Sequence, residues 1–510
     1  MDINKLFREY EKALQDRNSF QDLMIDVYRY CIPSRNGWIN QTSGQRNDIV
    51  IYNSHPVNST KQFASNMVSM VIPSGLKFFN LKSSKQLNDV DREDFNKLVA
   101  PISSVIFEYL SDSNLSIALN EAFIDLGAGT GGVLCKYSGN DKEPLIFNSL
   151  DMSNICFTDG INGIIDNVFY EMNDIEIDIA EQLYPDANFP IGNNRVSFLV
   201  SIYKEKDIYN YILIDKNSKQ IYWQKQQNYN PFIIFRWNKL ANEIRGRGVL
   251  ADMISTIKTA NIMVADILTA SAKIIAPPTF VYSNSLINPS NIDFSPNSIV
   301  PLKYQAGISN PVFNMPFNGN IPFAMAQVEN MNKQLDDAFM INPLGNVGIS
   351  QQTATEITAR LRFASNIWGA FYARFQKEFL SPLVNNTINI LTMRGLIPKL
   401  PDGIKIQYQS PIIELQKQAE LTKLMQATQL IAQIAGDNAN QAIMTSLDVA
   451  KLPNYIAEHL GADMGLFRTT AEIQESMGLQ QKILQQMALS GKNIPLAGSP
   501  INTNIPNISQ

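Results

Sequence analysis

The run Gly127-Ala128-Gly129-Thr130-Gly131-Gly132 has the GxGxxG spacing that, in a dinucleotide site, lets backbone approach a pyrophosphate. That chemistry needs the glycines to follow a strand and open a helix, so that the helix N-terminus faces the phosphates. Here the order is reversed: Ala122 to Leu126 read as helix, and Val133, Leu134, Cys135 and Tyr137 read as strand. The run is therefore expected to be a helix-ending turn. It also lacks the Lys-Ser/Thr pair of a phosphate loop, so nucleotide binding is not expected.

Other reactive side chains are few. His55 and His459 are the only histidines, too little for a histidine-based triad or a two-histidine metal site. Ser54 and His55 are adjacent, and neighbours on a strand or loop point apart, so His55 reads as a turn residue. Cys31, Cys135 and Cys156 have no CxxC spacing and read as reduced, partly buried thiols. Asp336 and Asp337 could hint at acid/base chemistry or Mg²⁺, but helix neighbours diverge by about 100 degrees and no flanking ligand completes a site. A solvated helix face is the expectation, with no cofactor and no metal. Asn58-Ser59-Thr60 fits a glycosylation acceptor, which carries no weight without a secretory signal.

The elements that would position these residues follow from periodicity. The 510 residues are 45% hydrophobic and 17% charged with a net charge of −5, so Asn, Gln and Ser supply much of the surface polarity. Such a balance argues against a protein that grips nucleic acid electrostatically. No stretch approaches eighteen uninterrupted apolar residues and the N-terminus has no apolar core, so a soluble protein made in a cytoplasm is expected, with no membrane contact. Helical spacing covers Asp2 to about Tyr30, Val57 to Val71 and Asp89 to Ala128. Short apolar runs then alternate with turns as far as Phe235, which predicts a β-rich meander: Pro144 to Phe147, Ile164 to Tyr170, Val196 to Tyr203, Tyr209 to Ile214 and Ile221 to Lys225.

After Arg245-Gly246-Arg247-Gly248 the character changes. Ile254, Ile257, Val264, Leu268 and Ile275 mark one face of a long helix that stops at Pro277-Pro278, about 40 Å at 1.5 Å per residue. A Pro-, Asn- and Ser-rich insert follows, then a second helix with Val328, Met331, Leu335 and Phe339 on one face. An exposed loop is expected over Ile341 to Gln352. The capping box Thr353-Ala354-Thr355-Glu356 opens a very long helix with the stripe Ile357, Leu361, Ala364, Trp368, Phe371, Phe375, Phe379. A kink is expected at Pro382 and an end at Gly395 and Pro398. A strand, Ile404 to Tyr408, leads to further helices through Leu424, Ala427, Ile431 and Ile434 and over Ala450 to His459. Beyond about Met477 the composition is that of a disordered tail.

In this order the segments resemble the head-to-tail connecting (portal) proteins of podoviruses, the short-tailed bacteriophages, over most of the chain. Four stretches carry the likeness: Gly37 to Phe79; "FIDLGAGTGGVLCKYS" with "GIIDNVFYEM"; Phe235 to Pro278; and "TATEITARL" through "PLVNNTINIL". The resemblance implies an α+β, mainly helical portal fold. Residues 1–247 would form a wing, 248–276 a first stem helix, 277–320 a clip, 321–340 a second stem helix and 341–352 a channel loop. Residues 353–410 would form the long kinked helix and a wing strand, 411–476 crown helices and 477–510 a tail.

It further implies a homo-oligomeric ring, a dodecamer in this family, at one capsid vertex of the virion. Double-stranded DNA would pass through it without sequence specificity during packaging and ejection. The partners implied are the large terminase (the packaging ATPase), the major capsid protein and tail adaptor proteins. The channel loop would be Asn342, Pro343, Leu344, Gly345, Asn346, Val347, Gly348, Ile349 and Ser350, with Lys258, Lys273 and Lys333 as channel or stem cations.

Charge tests the idea: at about one negative charge per 1.7 Å, a 40 Å stem would face roughly two dozen phosphates. In the block Gly248 to Met340, Asp252, Asp266, Asp293, Glu329, Asp336 and Asp337 outnumber Lys258, Lys273, Lys303 and Lys333. That balance suits passage rather than grip. The alternatives are another virion structural protein, such as a tail adaptor or scaffold, and an enzyme with a dispersed acidic site.

Overall fold

The computed structural model describes residues 3–35, 37–39, 50–72, 77–83, 89–160, 163–190, 194–205, 208–283, 293–303, 312–314, 319–339, 371–400 and 404–408, with scattered residues between 421 and 456. The chain divides into two compact units, one of residues 1–81 with 100–410 and another of 82–99 with 411–510. In the second unit the described part is chiefly the first turns of a helix that begins at Asp89 and helical residues over 424–431. The expected channel loop, the capping box, His459 and the C-terminal tail lie outside the described residues.

The first unit is built on a five-stranded antiparallel meander in the order β4-β5-β6-β7-β8. Its strands are β4 (Ile155–Asp159), β5 (Ile165–Glu176), β6 (Arg195–Glu205), β7 (Ile208–Asp215) and β8 (Ile221–Gln227). Run-on apolar segments such as Phe198-Leu199-Val200 arise because both faces of this sheet are covered, which removes the usual polar alternation. One face carries Cys156, Phe169, Leu199, Tyr203, Ile212 and Ile214 and is sealed by Leu6, Phe7, Tyr10 and Ala13 of α1 (Ile3–Ser19). The other carries Ile155, Phe157, Val168, Phe198, Val200, Ile202 and Leu213. It packs on Leu134, Phe232 and Ile234 of a second sheet and on Ala180 of α6 (Ile177–Leu183).

The second sheet is antiparallel in the order β3-β2-β9, from β2 (Thr130–Tyr137), β3 (Leu145–Ser149) and β9 (Phe232–Arg236). Periodicity singled out six of the eight strands in these two sheets with small shifts of boundary. It missed β4 and β9, whose burial leaves no alternation to read. The expected α+β class holds.

α1 is fastened to the meander by charge as well as by packing. Tyr10 donates to Glu171 at 2.5 Å, and Arg17 and Lys216 approach the same carboxylate at 3.5 and 3.3 Å. Burial raises the Glu171 pKa, but the Tyr10 hydrogen bond and the two cations outweigh it and hold the group below its ordinary value. A depressed carboxylate stabilises the fold above its unfolded pKa and loses that contribution as pH falls through the folded one. Glu171→Gln keeps an acceptor for Tyr10 without the charge. It is expected to cost about 1–2 kcal/mol at neutral pH, a deficit that shrinks on acidification below the glutamate range. Denaturant midpoints of both proteins across pH check this.

The expected single helical stretch Asp89 to Ala128 is two helices, α4 (Asp89–Asp112) and α5 (Leu115–Ala128). They break at Ser113-Asn114, where the Asn114 side chain pairs with both the N–H (2.9 Å) and C=O (2.7 Å) of Phe147. All three cysteines are free and fully buried, deeper than expected. Among the described residues no helix is long and apolar enough to cross a membrane, and no group of His, Cys, Asp or Glu could hold a metal ion.

Candidate functional site: the long helix pair and its root

Two helices leave the body of the first unit together, α7 (Val249–Ile275) and α8 (Ile321–Ala338). Between them lies a three-stranded sheet, β11-β10-β12, made of β10 (Thr279–Ser283), β11 (Ile299–Lys303) and β12 (Val312–Asn314), with β10 and β11 parallel. The start of α7 and the end of α8 meet at one place: Leu250 and Phe339 both lie against Gly127. The pair is thus antiparallel, with its root in the body and the small sheet at the far end.

The two glycine motifs of the sequence meet at this root. Gly129 ends α5 at φ +139, and a Cβ there would lie 2.2 Å from the carbonyl oxygen of Gly246. A Cβ on Gly246 would lie 2.2 Å from Gly129 O, and one on Gly248 would lie 2.2 Å from Gly127 O. Two backbones cross where side chains do not fit. The crossing is laced by Gly248 N–H to Ala128 O (3.1 Å), Trp237 N–H to Gly129 O (2.9 Å) and Gly246 N–H to Thr130 Oγ1 (3.0 Å). The GxGxxG run is the expected helix-ending turn, and its permissiveness serves α7 rather than a phosphate.

Beside the crossing Arg236 is wholly buried. Its guanidinium binds Glu378 at 2.6 Å, Asp159 at 2.8 Å and the carbonyls of Ile244 and Gly163 at 2.8 and 2.9 Å, while its own N–H donates to Glu378 at 3.0 Å. Burial works against the charge, but Glu378 and Asp159 prevail and raise the arginine above its ordinary value. Glu378 belongs to a π turn, Gln376–Leu380, that runs directly into α9 (Ser381–Met393). The helix is therefore not interrupted at Pro382. The wider π turn comes just before the position where proline removes an N–H, and it is the turn that presents Glu378. Sequence reasoning missed this cluster, since Arg236, Asp159 and Glu378 are far apart in the chain and form no motif.

Polar ties bind the helix pair to residues 52–59. The Asn261 side chain of α7 accepts from the N–H groups of Tyr52 and Asn53 at 2.8 and 3.0 Å, and Asn53 donates to Asn332 of α8 at 2.9 Å. Asp336 takes Ser59 Oγ at 2.7 Å and lies 2.9 Å from His55 Nε2. His55 opens α3 (His55–Val71) instead of sitting in a turn, and Asp336 is a tie between helices instead of a solvated group. Of the proposed channel cations, Lys258 is ion-paired with Asp26 and lies over Tyr30. Lys273 acts on Asp293, whose pKa is lowered chiefly by hydrogen bonds from Ser295 and further by that lysine. Lys333 is exposed on α8.

Burial along α7 stops abruptly. Ile254, Ile257, Ala260 and Asn261 are buried, whereas Ile262 is 60% and Ile275 83% exposed, with Leu268 and Ile274 also open. The far sheet adds Ile299 (71%), Val312 and Phe313, and the start of α8 adds Phe323 (62%) and Met325. Apolar surface of this extent is characteristic of an interaction face.

Residues 4–467 match the family described as bacteriophage head to tail connecting protein, and the chain belongs to that family. The expected family is thus shown; it is one of structural connectors rather than enzymes. Among curated proteins no sequence matches. Two solved structures are similar over most of their length. One is from the virion of a native gene transfer agent particle, at 10% identity and TM-score 0.35, covering 74% of this chain and 86% of that one. The other is from the neck of an empty gene transfer agent particle, at 12% identity and TM-score 0.36, covering 81% and 90%.

Proposed function

We propose that this chain is one subunit of a dodecameric portal ring at a capsid vertex, through which double-stranded DNA passes during packaging and ejection. The observation that carries this reading is the half-buried helix pair. In a single subunit, the outer half of α7, the small sheet and the start of α8 leave Ile262, Ile275, Ile299 and Phe323 in water. A head-to-tail contact with the next copy would cover them, and such heterologous contacts close into rings. Small residues beside the exposed stripe, Ala265, Ala270, Ser271 and Ala272, would let neighbouring helices approach closely.

In this reading residues 342–350 face the channel, and Lys258, Lys273 and Lys333 give sparse, exchangeable phosphate contacts, the first shared with Asp26. The small sheet at the far end is the proposed docking surface for the terminase and later the tail adaptor, with the major capsid protein around the ring. Catalysis belongs to the ATPase. The test is a native mass of the purified chain alongside Ile275→Asp. The wild type is expected as a ring of about twelve copies, and the variant as a folded subunit with an unchanged circular dichroism spectrum and little ring. A monomeric or six-fold wild type, or ATP hydrolysis by the chain alone, would sink the proposal.

A further inference from the structure

Beneath the α7 root lies a small cavity of about 10 Å³, lined by Tyr28, Trp38, Thr130 and Arg245 with Met24 and Met152 among the apolar walls. That is room for a single atom-sized guest. Three of its polar side chains, Arg245, Thr130 and Trp38, have donor capacity left to offer. Tyr28 already gives its proton to Asp125 at 2.8 Å. Thr130 Oγ1 accepts the Gly246 N–H at 3.0 Å, which leaves its own proton to donate. Trp38 Nε1 is buried and has no acceptor among the described residues.

Arg245 is the strongest of these groups. It is 4% exposed, and among the described residues its guanidinium donates only to the carbonyls of Met152 (3.3 and 3.4 Å) and Ile155. The rings of Trp38 and Phe157 flank it at 5.4 Å each. Among the described residues no carboxylate lies within ion-pair distance, in contrast with Arg236, which holds two. Burial accordingly brings the arginine down to about 10, with Asp16 acting in its favour and Arg17 against it from farther away. A buried cation without a counterion is costly, and partnering it relieves that cost.

We propose that this cavity binds one small monovalent anion of the chloride class, held by the Arg245 guanidinium, the Trp38 indole N–H and the Thr130 hydroxyl. A water molecule could accept from these donors and give a proton to the Tyr28 oxygen, but it would leave the charge of the arginine unpaired. A halide takes donors from every side and neutralises the arginine. Oxyanions such as sulfate or phosphate are too large for the space. The ion would sit directly under the glycine crossing, with Thr130 touching both, so its binding would stabilise the α7 root.

The experiment uses the assembled protein. Long-wavelength anomalous difference maps from crystals grown in chloride are expected to show a peak in the cavity. Thermal melts in sodium chloride and sodium gluconate at equal ionic strength share the same screening. They are expected to differ by roughly 2–4 °C in favour of chloride, saturating with concentration. Trp38→Phe keeps the ring but loses the donor, and should abolish most of that increment while melting in gluconate near the wild type. A cavity without an anomalous peak, refining as water, or equal melts of the wild type in the two salts, would overturn the assignment. The map on the wild-type protein decides the matter even if the variant fails to fold.

Discussion

Arg236→Met is expected to destabilise the subunit by about 3–5 kcal/mol, because it strands Glu378 and part of Asp159 as buried charges. The four elements that converge on this guanidinium explain the size of the effect. β9 supplies the arginine, the π turn supplies Glu378, the end of β4 supplies Asp159, and the segment before α7 supplies the Ile244 carbonyl. Lys239 also pairs with Asp159, so that carboxylate keeps one partner and Glu378 bears most of the loss. The double variant Arg236→Met/Glu378→Met removes the stranded charge and is expected to be less stable than wild type by clearly less than the sum of the singles, with a coupling of about 2 kcal/mol. Denaturant midpoints of all four proteins measure it. Additive losses would show that the two side chains do not act as a pair.

Gly129→Ala is expected to cost about 3 kcal/mol or more and, under the proposed ring function, to abolish assembly. Its methyl group would meet the Gly246 carbonyl at 2.2 Å and the Gly248 nitrogen at 2.8 Å, at a φ of +139 that L-residues rarely adopt. The only relief is to move residues 246–248, and with them the first turn of α7. Gly139→Ala is the control, since Gly139 also has positive φ (+92) but nothing within 4 Å of the added carbon. That variant should lose only the conformational cost, about 1–2 kcal/mol, and assemble normally. Soluble yield, thermal melting and native mass of both variants separate collision from strain. A Gly129→Ala protein that assembles like Gly139→Ala would refute the crossing.

Much of this architecture could be read from the sequence wherever a periodic face met a single environment. α7 and α8 were legible because their apolar stripes recur at helical spacing, and the strands that periodicity did find are bounded by Asn, Asp and Gly turns. β4 and β9 were hidden because strands buried on both faces have no alternation. The stripe Ile254, Ile257, Leu268, Ile275 looked uniform in sequence, yet the structure covers only its first half. Periodicity reports which residues share a face, not what that face meets.

The root of the helix pair was illegible for a different reason. Gly129 and Gly246 are 117 positions apart, and Arg236 and Glu378 are 142 apart. No local pattern couples them. The glycine runs were visible as motifs, and their order pointed to a helix-ending turn, but only the fold shows that each run exists to admit the other. His55 and Asp336 were likewise weighed singly and set aside, although together they tie α3 to α8.

The abrupt end of burial at Asn261 has a mechanical meaning. Up to that residue α7 is clamped by backbone crossing, side-chain straps and aromatic packing; beyond it, 14 residues to Ile275 extend roughly 20 Å beside α8, with Ile262, Leu268 and Ile275 exposed. The pair is a short cantilever. Force applied at the small sheet reaches the body, among the described residues, through two helices alone, and arrives as torque on a joint with no side chains to yield. A beam that is stiff at its anchor and bare along its span bends as a unit, and neighbouring beams laid edge to edge would share the load.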